Sequence, residues 1–247
     1  MPSTITTYLS AISFYYKLQD VPDPTSTFVC EKFLCGLKKF SAPSNQLQPV
    51  TIHILNALLM ANHSHNPSSY TQVLLASVMT LMYFGCLRIG EVAISWHADH
   101  VLHKSQIKFL TAGHNSAKAI TINFKSYKHS KSSCPLLTIT KLPGAAHCPV
   151  LALIQYLNMR TNTSQNALFV DDKGDTITRS WFVKNLKQLL AITPFSHCNI
   201  NSHSFRIGRT TDMALSGKYS DAYIQQVGRW SSNAYKKYIR PNTICPS

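Results

Sequence analysis

Apolar residues recur at helical spacing over most of the chain. The longest apolar run, Val73 to Leu87, is interrupted by small and polar residues. It is shorter than the roughly 20 residues that a membrane-spanning helix needs, so it predicts a buried helix. Helical periodicity and end signals predict further helices on both sides of this run. The predicted helices cover residues 9–18, 28–40, 52–60, 70–84, 87–94, 149–159, 178–190, 202–215, 220–227 and 231–239.

Between residues 106 and 140 the apolar residues no longer follow helical spacing and form short runs typical of β-strands. Runs at 106–110, 119–124 and 136–140 are separated by polar turns, and residues 167–170 read as an edge strand. Helices followed by a small antiparallel sheet and then more helices define an α+β fold, rather than an alternating α/β one. The proline-containing stretch 41–49 reads as a linker, which places a domain boundary at residue 45.

The charge of the chain indicates a polyanionic partner. The 247 residues hold 24 lysines and arginines against 10 acidic residues, a net charge of +14, while only 14% of the residues are charged. Such a folded, basic chain favours nucleic acid as its partner. Neither a signal peptide nor a membrane span is predicted. The seven cysteines include no CxxC pair and are expected to be reduced thiols in an intracellular compartment.

Several kinds of chemistry find no support in the sequence. His97, His100 and His103 are spaced by threes and His147 adjoins Cys148, but none of them has the paired spacing of a zinc site. Phosphate-binding and nucleophile-elbow glycine motifs are missing, and acidic residues are too few to favour a two-metal nuclease. The sequence therefore predicts no metal and no cofactor.

Basic and aromatic residues suited to phosphate chemistry gather near the C-terminus. His203 and Arg206 share one face of a predicted helix, and the Gly-Arg-Trp triplet that ends at Trp230 precedes Tyr238. Upstream, Arg88 directly follows the buried apolar helix. A guanidinium there needs an anionic partner, which Glu91 or a bound phosphate would supply.

Taken in chain order, these motifs resemble the tyrosine recombinase (phage integrase) family over nearly the whole chain. GCLRIGEV looks like the first arginine box, HSFRIGRTTDMALSG like the second, and VGRWSSNAYKKYIR like the segment that bears the nucleophile. Two segments, HCPVLALIQYLNMR and GRWSSNAYKKYIR, resemble in particular the recombinases of eukaryotic mobile elements, the DIRS-like and Crypton-like groups. The resemblance implies a mostly helical catalytic domain with a small antiparallel sheet over residues 46–247, the DNA breaking-rejoining fold. Residues 1–45 would form a partial helical core-binding (SAM-like) domain, shorter than is usual in the family.

The resemblance also implies a role for each active-site residue. Arg88 and Arg206 would bind the scissile phosphate, because guanidinium groups stay charged and match phosphate oxygens. Trp230 stands where many relatives have histidine and would donate its indole N–H. His203 would orient the phosphate or accept the proton of the nucleophile, and Tyr238 would attack to form a 3′-phosphotyrosine.

Supporting roles follow, and two assignments stay open. Glu91 is expected to hold Arg88 in place. Tyr235 competes with Tyr238 as the nucleophile, although Tyr238 has the more usual spacing from Trp230. Phosphate-backbone contacts are expected from the remaining basic side chains. Lys128 is expected to be the general acid that protonates the leaving oxygen, and Lys125 and Lys131 compete with it for this role. The lysines that do not serve as the acid are expected to contact DNA, as are Arg209 and Arg229.

The implied activity is cleavage and rejoining of double-stranded DNA without metal or ATP, by a homo-oligomer that ranges from dimer to tetramer. A nuclear location would follow if the source is eukaryotic. Two alternatives remain: a recombinase-derived DNA-binding protein that has lost activity, and a type IB topoisomerase.

Overall fold

The chain divides into two compact units, Met1–Gln46 and Leu47–Ser247. A computed structural model describes residues 2–40, 46–65, 68–94, 100–110, 117–125 and 136–245. The division lies next to the boundary expected at residue 45, while the identity of the first unit as a core-binding domain stays a prediction.

The first unit is a pair of helices, α1 (Pro2–Leu18) and α2 (Phe28–Phe40). Asp23 organises the connection between them, because its carboxylate accepts hydrogen bonds from the Ser13 hydroxyl and from the amide and hydroxyl of Thr25. None of the described residues of this unit is fully buried. Two short helices cannot enclose a core between them, so side chains such as Phe28, 72% exposed, stay at the surface.

The second unit surrounds its core with helices and one small sheet. Helix α4 is the centre of this core, since its middle is buried on all sides and it packs against α3, α6 and α8. Its apolar sequence over the whole circumference explains that position. The helices of this unit are α3 (Ile52–His65), α4 (Ser69–Phe84), α5 (Ile89–Val92), α6 (Pro149–Met159), α7 (Arg179–Ala191), α8 (Ser202–Leu215) and α9 (Asp221–Gly228).

The sheet has three antiparallel strands in the order β1 (Ile107–Phe109), β2 (Ala119–Asn123) and β3 (Leu136–Thr140). Strand β3 alternates between exposed and buried positions, with Leu137 and Ile139 facing the core. These two residues pair with Ile122 and Ile120 of the central strand. The alternation is that of a sheet with one face on a core and one in solvent.

Helix α8 begins at a side-chain cap and runs close to the main chain of an earlier segment. Asn201 accepts a hydrogen bond from the amide of Ser202, and its own amide donates to the Ser204 hydroxyl. One turn later, a Cβ atom at Gly208 would lie only 1.8 Å from the carbonyl oxygen of Val50. Glycine is therefore required for this close approach, which fixes α8 against the start of the unit.

Most predicted elements are present, and several differ from expectation. Helix α1 begins at Pro2 instead of residue 9, and α5 spans only Ile89–Val92 of the predicted 87–94. Helix α3 continues to His65 instead of ending at Met60. The predicted helix at 231–239 is a 3₁₀ helix, Asn233–Tyr238. Within the described residues, the predicted strand at 167–170 makes only isolated bridges, because Ala167 pairs with His103 while Val170 pairs with Thr176.

The sequence predicted no membrane-spanning helix. In the parts of the chain that the structure describes, no helix combines the length and the apolar character needed to cross a bilayer.

Candidate active site

The turn that follows α4 is the base of the site. Gly85 caps α4 by donating its amide to Leu81, and a Cβ at this position would lie 2.9 Å from the same carbonyl oxygen. Cys86 follows with a positive φ of 46°, which reverses the chain. Arg88 then precedes α5 with its side chain 20% exposed. This turn therefore points the main-chain carbonyl groups of Gly85 and Cys86 inward and keeps Arg88 at the surface of the site.

Glu91 lies between two arginines. One carboxylate oxygen accepts a hydrogen bond from the Arg88 amide at 2.8 Å, and the other lies 3.5 Å from the Arg88 guanidinium. The shortest ion pair, at 2.7 Å, joins Glu91 to Arg229 instead. The expected contact between Glu91 and Arg88 is present, and a second contact accompanies it.

Arg229 was expected at the DNA surface, and in the structure it is buried. Its guanidinium donates to the Gly85 carbonyl at 3.0 Å as well as to Glu91, and it stacks on the Phe124 ring at 4.2 Å. Its backbone is left-handed, with φ of 57°, where it ends α9. Because its charge is taken up by a buried carboxylate, Arg229 is a structural partner of Glu91 here and not a surface contact for phosphate.

Arg206 is completely buried beneath Trp230. Its guanidinium donates to the carbonyl groups of Cys86 and Gly228, and the Trp230 ring covers it at 4.0 Å. Burial, together with the charge of Arg88, lowers the pKa of Arg206 to about 10, so the group stays protonated at neutral pH. Its Nε atom makes no hydrogen bond among the described residues. The guanidinium is charged and fixed, with one donor unused.

Gly228 explains how Trp230 reaches this position. A Cβ atom at residue 228 would lie 1.6 Å from the indole ring, so any side chain would displace Trp230. The Gly-Arg-Trp triplet therefore acts as a unit, in which the glycine makes space for the tryptophan and the arginine neutralises Glu91.

His203 and Tyr238 face each other beside Trp230. The ring of Tyr238 lies 5.2 Å from that of His203 and 5.0 Å from that of Trp230. Burial lowers the pKa of His203 to about 4, and the charges of Arg206, Arg240 and Arg88 act in the same direction. His203 is therefore neutral at physiological pH, and the same shift makes its imidazole a weaker base than a free one.

The two candidate tyrosines have different surroundings. Tyr235 is fully buried, and its hydroxyl makes no hydrogen bond among the described residues. The carboxylate of Asp221, together with burial, raises the pKa of Tyr235 to about 12. Tyr238 is only half-buried and lines a cavity of about 260 Å³ together with Arg88 and Trp230. This volume is several times the roughly 30 Å³ that a water molecule occupies in the liquid. Only Tyr238 opens onto a space that could hold a phosphate group.

Thr211 anchors the main chain at Tyr238 and at Arg240, two residues further on. Its hydroxyl lies 3.0 Å from the Tyr238 carbonyl and 2.9 Å from that of Ile207, and it accepts a hydrogen bond from the Arg240 amide at 3.1 Å. Sequence reasoning missed this residue, because a threonine inside a helix carries no signal of a contact 27 positions away.

The remaining predicted residues lie away from this cavity or outside the described residues. Arg209 packs between the rings of Phe84 and Tyr219 and lines a separate cavity of about 680 Å³. Lys125 is exposed just after β2. Lys128 and Lys131 lie outside the described residues, so the choice among the three lysines stays open.

Comparison with known proteins identifies the fold. No family profile and no curated protein matches the sequence. Among solved structures, the chain is similar to the Tn1549 transposon integrase in complex with transposon right end DNA, with a TM-score of 0.60 and 14% identity over 99% of this chain and 75% of that one. It also resembles the XerA recombinase, with a TM-score of 0.55 and 18% identity over 95% and 77%.

A third similarity is to the XerH site-specific recombinase bound to its palindromic difH substrate, with a TM-score of 0.59 and 16% identity. This alignment covers 78% of the present chain but only 50% of the XerH chain, so the chain spans about half the length of that relative. The structural neighbours are tyrosine recombinases and integrases. The α+β fold of the second unit is therefore that of the tyrosine recombinase catalytic domain, as the sequence motifs predicted.

Proposed function

We propose that this chain is a tyrosine recombinase that cleaves and rejoins double-stranded DNA through a 3′-phosphotyrosine intermediate. The observation that carries the proposal is that Arg88, His203, Arg206, Trp230 and Tyr238, from three separate segments, meet at one site on a recombinase fold. Nothing in the packing of a helical core requires two arginines, a neutral histidine and a half-exposed tyrosine at one place. The net charge of +14 supports the same partner.

The phosphate is proposed to bind in the cavity between Arg88, Trp230 and Tyr238. Arg88 is the guanidinium that is partly open to solvent, with its side chain 20% exposed, while its buried Nη1 atom faces the Glu91 carboxylate at 3.5 Å. Arg206 reaches the phosphate once the Trp230 ring moves away from the guanidinium that it covers, and the indole N–H then donates to a non-bridging oxygen.

In the cleavage step the Tyr238 oxygen attacks phosphorus and the bond to the 5′ oxygen breaks. The tyrosine proton passes to His203, which is neutral because of its lowered pKa. The leaving oxygen takes a proton from a general acid, for which Lys128 is our first choice and Lys131 the next. Rejoining is the reverse, with a 5′ hydroxyl attacking the phosphotyrosine. Because that ester conserves the energy of the broken bond, the reaction requires no ATP.

The finer assignments rest on the sequence motifs. We propose that the chain belongs with the recombinases of eukaryotic mobile elements, acts in the nucleus, and assembles on DNA as a dimer or tetramer. The solved relatives include a lambda integrase dimer bound to a core site, which supports assembly on DNA. The first unit is proposed to be a partial core-binding domain.

A suicide substrate tests the proposed chemistry. This is a nicked duplex whose cleaved end diffuses away and leaves the covalent protein–DNA adduct trapped. Pooled duplexes from the DNA that flanks the coding region supply candidate target sites. We expect wild type to form an adduct in the presence of EDTA, Tyr238→Phe to form none, and the matched control Tyr235→Phe to remain active.

Each of the other outcomes contradicts a specific part of the proposal. An adduct that survives Tyr238→Phe but is lost in Tyr235→Phe would show that Tyr235 is the nucleophile. An adduct that requires magnesium would overturn the mechanism. DNA binding without any adduct on the pooled substrates would favour the inactive DNA-binding alternative. Relaxation of supercoiled DNA that lacks these sites would favour a topoisomerase.

A further inference from the structure

Three side chains of metal-binding type meet at one place, two of them adjacent in sequence and the third 47 residues beyond Cys198. The Nε2 atom of His197 lies 3.5 Å from the sulfur of Cys198 and 3.4 Å from the sulfur of Cys245. All three donor atoms lie within 4.8 Å of one another. In the structure the two sulfur atoms are joined as a disulfide across 47 residues of sequence.

The position of His197 indicates more than a disulfide. A disulfide needs no third group, yet the imidazole nitrogen is placed almost equally far from both sulfur atoms. In a tetrahedral zinc site, bond lengths of about 2.3 Å to sulfur and 2.0–2.1 Å to nitrogen place these donors about 3.5 Å apart. The two nitrogen–sulfur distances are already close to that edge length while the sulfur atoms are joined, so the sulfur–sulfur edge is the one that has to lengthen.

We propose that, when Cys198 and Cys245 are reduced, these two thiolates and His197 bind one zinc ion. Reduction by a thiol or phosphine reductant gives each sulfur one electron and one proton, and Zn²⁺ then displaces both protons to solvent. The sulfur atoms must move apart, and with 6.3 Å between the two Cα atoms this needs only side-chain rotation. Two thiolates and Zn²⁺ add no net charge to an already basic protein.

The surroundings of the cluster suit an ion that enters from solvent. Both cysteines are buried while His197 is exposed. The ion therefore has an entry path on the histidine side, where water can occupy the fourth position. The described residues contribute three ligands to this cluster.

The proposed ion would tie the segment after Tyr238 to the start of α8. Cys198 lies in the loop that precedes α8, and Cys245 ends the described chain after Tyr238. Between them Arg240 already binds this segment to the Leu47 carbonyl and to Thr211. Zinc would add a stronger link at Cys245, the far end of this segment. The cysteine spacing did not predict such a site, and the sequence predicted no metal.

The test uses the full chain, reduced with a phosphine and transferred to metal-free buffer without DNA. Zn²⁺ is then added, the unbound metal is removed, and native mass spectrometry is expected to show one Zn²⁺ per chain. Co²⁺ in its place should give the charge-transfer absorption of thiolate ligation. Cys245→Ser should weaken binding by more than tenfold, since even the loss of a group that supports a ligand costs roughly 10–100-fold. The control Cys35→Ser, an exposed free cysteine of the first unit, should leave binding unchanged.

A second measurement needs no variant and so does not depend on whether Cys245→Ser folds. Reduced wild type is treated with a thiol-alkylating reagent with and without Zn²⁺, and the modified cysteines are mapped. Zinc should protect Cys198 and Cys245 while Cys35 reacts equally in both samples. Reduced protein that takes up no metal, equal uptake after Cys245→Ser, or zinc-independent alkylation at both cysteines overturns the proposal and leaves the pair a plain disulfide. None of these readouts depends on recombinase activity.

Discussion

Replacing Thr211 by valine tests whether the main chain around Tyr238 must be held for the tyrosine to react. The substitution keeps the branched shape of a buried side chain and removes only the hydroxyl. The Tyr238 carbonyl and the Arg240 amide then lose their partner on α8. The Ile207 carbonyl lies within a helix and keeps its helical hydrogen bond.

The size of the effect follows from these two lost contacts. A hydrogen bond contributes roughly 1 kcal/mol of net stability, and a group left unsatisfied in a partly buried place costs about 1–3 kcal/mol. Two such contacts give about 2 kcal/mol. If this free energy serves to position the tyrosine, the rate of adduct formation should fall about 30-fold, since about 1.4 kcal/mol corresponds to a factor of ten.

Two assays measure this loss. Single-turnover adduct formation on a suicide substrate gives the rate, and hydrogen exchange at the Arg240 amide reports the anchor without DNA. The matched control is Thr80→Val, because Thr80 is also fully buried but its hydroxyl bonds only to carbonyl groups of its own helix. We expect the control to leave the rate and the Arg240 exchange unchanged, because the helix carbonyls keep their helical hydrogen bonds. The same rate and exchange in Thr211→Val as in wild type would refute the anchoring role.

Two further predictions concern groups at the same site. Gly228→Ala should move the Trp230 ring off Arg206 and cost about 1–3 kcal/mol of unfolding free energy, as for other overpacked cores; a crystal structure with the indole unmoved would contradict this. The ring of His203 should titrate near pH 4 in the folded protein instead of near 6.5, as measured by NMR. Because the unfolded chain then binds the proton more readily, His203 reduces stability as pH falls from about 6.5 to 4, and His203→Gln should remove that part of the acid sensitivity.

Much of the fold could be predicted because the local signals agree with the final packing. Helix α2 and helix α8 begin and end where periodicity and end residues predicted, as does β3. The structure also brings Arg88, His203, Arg206, Trp230 and Tyr238 together, while the catalytic roles that the motifs imply for them stay predictions. Where the sequence contains a strong local rule, the structure follows it.

The parts that could not be predicted depend on contacts between distant segments. Arg229 looked like a surface cation because nothing nearby in sequence neutralises it, whereas its partner Glu91 lies 138 positions away. The contact between Cys198 and Cys245 likewise could not be predicted from the spacing of the cysteines in the sequence. The composition of residues 233–238 predicts an α-helix. In the structure this segment is a 3₁₀ helix, and its end is anchored to Thr211.

The balance of charge at the site gives a physical reason for an anionic ligand. Arg88, Arg206 and Arg229 share one carboxylate, that of Glu91, which leaves a formal excess of two positive charges. His203 is neutral, and burial raises the pKa of the Cys86 thiol, so neither changes this balance. Buried charge without a counter-charge is costly, and the fold holds it in place before any ligand arrives. A phosphodiester brings one negative charge, and the pentavalent state formed by tyrosine attack brings two. For the proposed reaction, such a site would be matched more closely to the transition state than to bound DNA, which is the condition for catalysis.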